Sequence, residues 1–244
     1  NGNIIFADSS AITIAPLTVV SQTARLDIKG GLNAEQIADL TITARALPNA
    51  STKTAAAGTE IGKFAFDATI KGPLFGPAID ATLDAEKIVT PQGKADTIQA
   101  RFNATPDGDV TEKATAIPFN ANVQASGLAA ADPALASALG NSLTLTANGR
   151  VRDGIADVQS AHLQTPTADL RFTGLIGGSN LNGQLVAHVP ALSRFGQLVS
   201  LKLRGALDLT ADLTGVPDDG RIIAAVDGKA TQFGTGIATL DGLT

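Results

Sequence analysis

The sequence predicts an all-β protein built as one long antiparallel sheet, curled on itself, with an apolar face lining a trough and a polar face in water. Three observations predict it. First, Leu201 to Gly215 alternates without a break: Leu201, Leu203, Gly205, Leu207, Leu209, Ala211, Leu213 and Gly215 are apolar or glycine, and of the residues between them only Ala206 is apolar. A period of two sends successive side chains to opposite faces of a β-strand. Second, the same alternation recurs along the chain between turns rich in glycine and proline. Third, bulky filler is scarce: aromatics are 4% of the residues, nine phenylalanines with no tryptophan or tyrosine. A sandwich usually packs its middle with large rings.

Taken in order, Ile12 to Val20 reads as an apolar strand broken at Pro16. Leu26 and Ile28 face one way between Arg25, Asp27 and Lys29, and Gly30-Gly31 makes a turn. Leu40 to Ala46 places Ile42 inward. Pro48 to Gly62 is small, polar and unpatterned, and reads as a loop. Phe64, Phe66 and Ile70 share a face, Gly72-Pro73 and Gly76-Pro77 bracket a hairpin loop, and Leu83 lies inward in the return strand. Ile98 to Phe102 and Phe119 to Ala125 are further strands, with a turn at Pro106 to Asp109. Asp132-Pro133-Ala134-Leu135 changes the period: an N-cap aspartate, proline at the first helical position and Gly140 at the end predict a helix of about two turns. Leu143 and Leu145, then Ala156 to Val158, then Leu170 and Phe172 resume strands. Pro190 to Gly196 predicts a second short helix. Leu201 to Gly215, Ile222 to Val226 and Ile237 to Leu240 complete the chain.

The 244 residues include no cysteine and no methionine, which reads as a fragment of a larger protein and excludes disulfides and zinc-thiolate sites. No apolar run reaches the roughly 18 residues of a membrane-spanning helix. Charged residues are 17%, net charge is −5, and no block of lysine and arginine occurs, which argues against nucleic acid. Two internal registers emerge. Pro133-Ala134-Leu135 recurs at Pro190-Ala191-Leu192. Gly72, Ala81, Asp84 and Gly93 recur at Gly215, Ala224, Asp227 and Gly236. Residues 4–101 and 147–244 thus read as two copies of one multi-strand unit, linked by 102–146.

One apolar face per strand must be hidden. A membrane barrel wants aromatic girdles, and a β-helix wants a coil period shorter than these hairpins. The remaining solution is the curled sheet. Its trough is lined by Leu26, Ile28, Ile42, Phe64, Phe66, Ile70, Leu83, Leu143, Leu145, Leu170, Phe172, Leu201, Leu203, Leu207, Leu209 and Leu213.

No reactive constellation stands out, and the chain reads as no enzyme. His162 and His188 have no serine–aspartate arrangement at useful spacing and read as surface or structural. Asp107, Asp109 and Glu112 lack the twelve-residue calcium-loop pattern. Asp218-Asp219-Gly220 reads as a hairpin turn. Gly174 to Gly178 lacks the lysine and hydroxyl of a phosphate loop. No catalytic residue, cofactor or metal is expected.

The order of a Pro-Ala-Leu helix, a strand ending in glycine, and the run Leu203-Arg204-Gly205-Ala206-Leu207-Asp208-Leu209-Thr210-Ala211-Asp212-Leu213-Thr214-Gly215-Val216-Pro217 resembles the AsmA-like superfamily and, within it, the TamB translocation and assembly module family. Lys71 to Asp80 and Ala11 to Leu17 are similar to the same repeats. The resemblance implies a β-taco, an open groove with a hydrophobic interior and short helices between repeat units. It implies a periplasmic body, an inner-membrane anchor outside these residues, and a TamA-like outer-membrane barrel as partner. The implied function is carriage of phospholipid by its acyl chains between inner and outer membranes, in support of outer-membrane biogenesis. The alternatives are a structural β-repeat scaffold or adhesin, with a filled interior, and an autotransporter assembly factor that moves no lipid.

Overall fold

The structure, a computed structural model, describes residues 4–6, 11–47, 52–54, 58–177, 180–216, 221–235 and 238–243. Seventeen strands form one sheet. They are β1 (Ile4–Phe6), β2 (Ile12–Val20), β3 (Ala24–Leu32), β4 (Ile37–Ala46), β5 (Thr52–Thr54), β6 (Thr59–Pro73), β7 (Ala78–Thr90), β8 (Gly93–Ala104), β9 (Ile117–Ser126), β10 (Ala129–Ala130), β11 (Ser142–Arg152), β12 (Ile155–Gln164), β13 (Asp169–Gly177), β14 (Asn180–Val189), β15 (Arg204–Val216), β16 (Arg221–Thr235) and β17 (Ala238–Leu243). Every pairing among the described residues is antiparallel, and most join sequence neighbours; β4 pairs with β6 and β9 with β11 past the short strands β5 and β10, which lie beside β6 and β8. Neither β1 nor β2 pairs with β16 or β17 among the described residues, so the sheet is open. No described helix is long and apolar enough to cross a membrane.

Among the described residues the apolar face has no second layer. Contacts between elements run almost wholly between sheet neighbours. The surface area is 14935 Å², about half as much again as the ~10,000 Å² of a compact chain of this mass. No described side chain is fully buried, and the most buried apolar residues are mainly alanines. Large residues on this face are therefore only half covered. The result is a curled open sheet whose apolar side lines a trough.

Several expectations meet the structure with differences. Pro16 does not break β2. It sits in an irregularity between Ile14 and Leu17, where the ladder skips a rung and needs no proline N–H. The expected loop at 48–62 gives way to β6 from Thr59 onward, and residues 48–51 and 55–57 lie outside the described ones. Strand β14 was not anticipated, although Leu181, Gly183, Leu185, Ala187 and Val189 alternate with polar residues. Glycine in the apolar set and Val186 in the polar set blur its period. The helix α1 (Pro133–Leu139) forms as its cap predicts: the Asp132 carboxylate accepts from the Ala134 and Leu135 amides at 2.7 and 3.2 Å. The second helix is one 3-10 turn, Leu192–Arg194, with no side-chain cap. The strand expected from Leu201 begins at Arg204; Leu201 and Leu203 precede it. Asp218, Asp219, Gly220, Gly178, Gly236 and Ile237 lie outside the described residues.

Gly30 and Gly174 both hold positive φ, at 120° and 146°.

Candidate functional site

Residues directly opposite in a ladder share a face of the sheet. Following the pairings from strand to strand gives the row Val19, Leu26, Ala44, Phe66, Leu83, Ala100, Val123, Leu145, Leu163, Leu170, Ala187, Leu209 and Gly228. It crosses thirteen strands, one residue from each, and contains no polar side chain. A second row starts at Leu17 and passes through Ile28, Ile42, Phe102, Phe172 and Leu185 to Val226. A third carries Leu40, Ile70, Ile79, Phe119 and Leu213. At an average spacing of about 4.8 Å between strands, the rows are about 60 Å long.

The row one residue away faces outward. It reads Thr18, Asp27, Thr43, Asp67, Thr82, Arg101, Asn122, Thr146, His162, Arg171, Val186, Thr210 and Asp227. Only Val186 is apolar. The local alternation of each strand is thus brought into phase across the whole sheet.

All the expected lining residues that lie in strands share the apolar face. Leu26, Phe66, Leu83, Leu145, Leu170 and Leu209 lie in the first row, Ile28, Ile42 and Phe172 in the second, and Ile70 and Leu213 in the third. Phe64 and Leu143 are joined through Ala85, Ile98 and Ala125, and Leu207 lies between Val189 and Ala230. Each is half-buried. Leu203 is half-buried just before β15, whereas Leu201 is exposed in the preceding turn. Leu163, Phe102 and Leu185 belong to the same face and were missed. The signal was present in the alternation of β8, β12 and β14.

On one rim of the trough a hollow of about 270 Å³ opens beneath α1, lined by Leu135 and Leu139 of the helix with Ile88, Ile98, Leu128 and Lys94. Nearby is the driest packing in the molecule: Ala138 is 3% exposed, and Leu192, Thr167 and Val189 are also buried. The Thr167 hydroxyl donates to the Ala138 carbonyl and ties α1 to the β12–β13 connection.

The outward face carries the ion pairs. Arg25 and Arg45 stand opposite each other and are neutralised by Asp27 and Asp67, both at 2.6 Å. Hydrogen bonds from Arg25 and then Thr18 hold the Asp27 carboxyl low, at about 2, and Asp27 raises Arg25. The His162 ring N–H donates to Asp169 at 2.8 Å, and His188 to Asp208 at 2.5 Å. The His162 bond, with help from Arg171, lowers the Asp169 carboxyl. The Thr111 hydroxyl and amide lower Asp109. An outer hollow of about 580 Å³ is lined by Thr82, Asp84, Gln99, Arg101, Asn122 and Gln124. These are hydrogen-bonding groups without a nucleophile–base pair. Among the described residues no three metal-ligating side chains converge.

The lowered aspartates set an acid response. A carboxyl whose folded pKa is depressed stabilises the fold above its unfolded value, and that stability is lost as pH falls. From the ordinary 3.8 to about 2 for Asp27, wild type will lose stability more steeply than the double variant Asp27→Asn, Asp169→Asn. Urea midpoints at descending pH measure it; parallel curves would remove these bonds from the account.

Compared with known protein families, characterised proteins and solved structures, the chain matches none.

Proposed function

We propose that this chain is a stretch of a periplasmic hydrophobic conduit of the AsmA-like, TamB type, carrying phospholipid by its acyl chains between the inner and outer membranes. The observation that carries the reading is the set of apolar rows running unbroken across thirteen strands, with no layer of protein over them among the described residues. A filled scaffold would bury its leucines and phenylalanines; here alanines are the buried residues. The rows are about four times the ~15 Å half-thickness of a bilayer's hydrocarbon core, so one lipid covers only a fraction of them. Each acyl CH₂ removed from water contributes about 0.8 kcal/mol wherever along the trough it lies. Near-equal sites in series permit sliding, and the absence of a specific polar contact implies weak selectivity. The outward row of threonine, aspartate, arginine and asparagine keeps the other face in water. The inner-membrane anchor and a TamA-like outer-membrane barrel belong to the proposal through regions outside these residues, on the sequence resemblance alone.

Native mass spectrometry of protein purified under mild conditions is expected to find phospholipid bound. Bare protein under every mild condition tried would favour the scaffold.

A further inference from the structure

We propose that the loop from Arg194 to Arg204 docks one rim of the sheet, where strands β14 and β15 end, on an anionic lipid bilayer surface. The chain leaves the sheet after Val189 and rejoins it at Arg204. The departure is anchored, since Val189 and Leu192 are buried. The loop is ordered by its own backbone bonds: the Phe195 amide donates to Leu192, Leu198 to Phe195, and Leu201 to Gly196, at 2.9–3.0 Å. This ordered loop nevertheless presents its apolar side chains to water. Leu198 is 46% exposed, Val199 53% and Leu201 54%.

Charge identifies the occupant. Arg194, Lys202 and Arg204 flank the apolar tip, all exposed. No ion pair engages them among the described residues, and no acidic residue lies between Val189 and Asp208. This occurs in a chain of net charge −5. The described loops at the opposite end of the strands carry Glu35, Asp107, Asp109, Glu112 and Asp153 against one cation, Lys113, which pairs with Asp153. The tip offers exposed aliphatic area. Aliphatic side chains ringed by cations are the chemistry of insertion at an anionic interface: the apolar groups enter the acyl boundary and the cations meet the phosphates. The docking stands apart from the conduit reading, since it concerns a loop outside the apolar rows.

The test is flotation of the 244-residue chain with vesicles of phosphatidylcholine alone or with about 30% phosphatidylglycerol. Wild type is expected to bind the anionic vesicles and to release at high salt. Each cation near such a surface strengthens binding roughly fivefold. The triple variant Arg194→Gln, Lys202→Gln, Arg204→Gln should therefore bind on the order of 100-fold more weakly. Leu198→Ser, Val199→Ser, Leu201→Ser should also lose binding, while Leu74→Ser, Phe75→Ser at the acidic end should keep it. All these side chains are already exposed to water, and an unchanged circular dichroism melt checks the fold of each variant. Equal binding to neutral vesicles, binding that survives both loop variants, or equal loss in the distal variant would overturn the proposal. So would a dimer abolished by the serine variant without vesicle binding, which would assign the tip to a second copy.

Discussion

Leu207→Asp is expected to stop lipid passage while leaving the protein folded, and Asp208→Leu is expected to do little to either. Leu207 lies on the trough face between Val189 and Ala230, half-buried, and water already reaches it. A carboxylate there can hydrate in the empty trough, so the fold survives. It cannot hydrate beneath an acyl chain, and the desolvation cost of an unpaired charge blocks the passage at that point. Asp208 is the next residue and projects outward, where it accepts the His188 bond. Losing one exposed bridge costs about 0–1 kcal/mol. A photo-crosslinking residue at 207 should capture phospholipid in cells, and the same probe at 208 should not. Equal capture would show that the two faces are not sorted into lipid and water. Unfolding of Leu207→Asp would mean a packed interior, and the scaffold reading would lead.

Gly174→Val is expected to destabilise the protein by at least about 3 kcal/mol, lowering Tm by on the order of 10 °C. Gly174 holds φ of 146°, a conformation that side chains rarely adopt, and faces Gly183 across the ladder. A Cβ at Gly174 would lie 2.3 Å from the Gly183 Cα and 2.4 Å from the Asn182 carbonyl oxygen. The obstruction is backbone, so no rotamer relieves it, and the strands must part. Gly154 is the control: its φ is also positive, but a Cβ there meets nothing within 4 Å. Gly154→Asn should cost little, because asparagine tolerates the left-handed region. Similar melts for Gly154→Asn and Gly174→Val would mean that close approach of β13 and β14 does not shape the sheet.

Much of the architecture was legible because alternation is local. Phe64 and Phe66, or Leu207 and Leu209, sit two residues apart, so their common face follows from strand geometry whatever the strand pairs with. The α1 cap was legible for the same reason: Asp132 reaches amides two and three residues away. The missed strand β14 shows the limit. Gly183 in its apolar set is explained by its neighbour, since a side chain there would strike the Thr173 carbonyl and the Phe172 ring. Leu201 shows the converse. It keeps the period of β15 but falls in a turn, because alternation does not say where pairing starts. Pro16 likewise reads locally as a break, and its neighbours accommodate it as a bulge.

By itself the sequence determined the all-β class, the face to which each strand side chain belongs, and the capped helix. These depend on residues within a few positions of one another. Only the tertiary structure decided that thirteen faces fall into phase, that the trough leucines stay half-exposed while the buried residues are mainly alanines, and that the Arg194–Arg204 loop lies at the strand end opposite the acidic loops. Those outcomes depend on hydrogen-bond register between successive strands and on the curl of the whole sheet, and a one-residue slip in any ladder would have turned that strand's leucines outward.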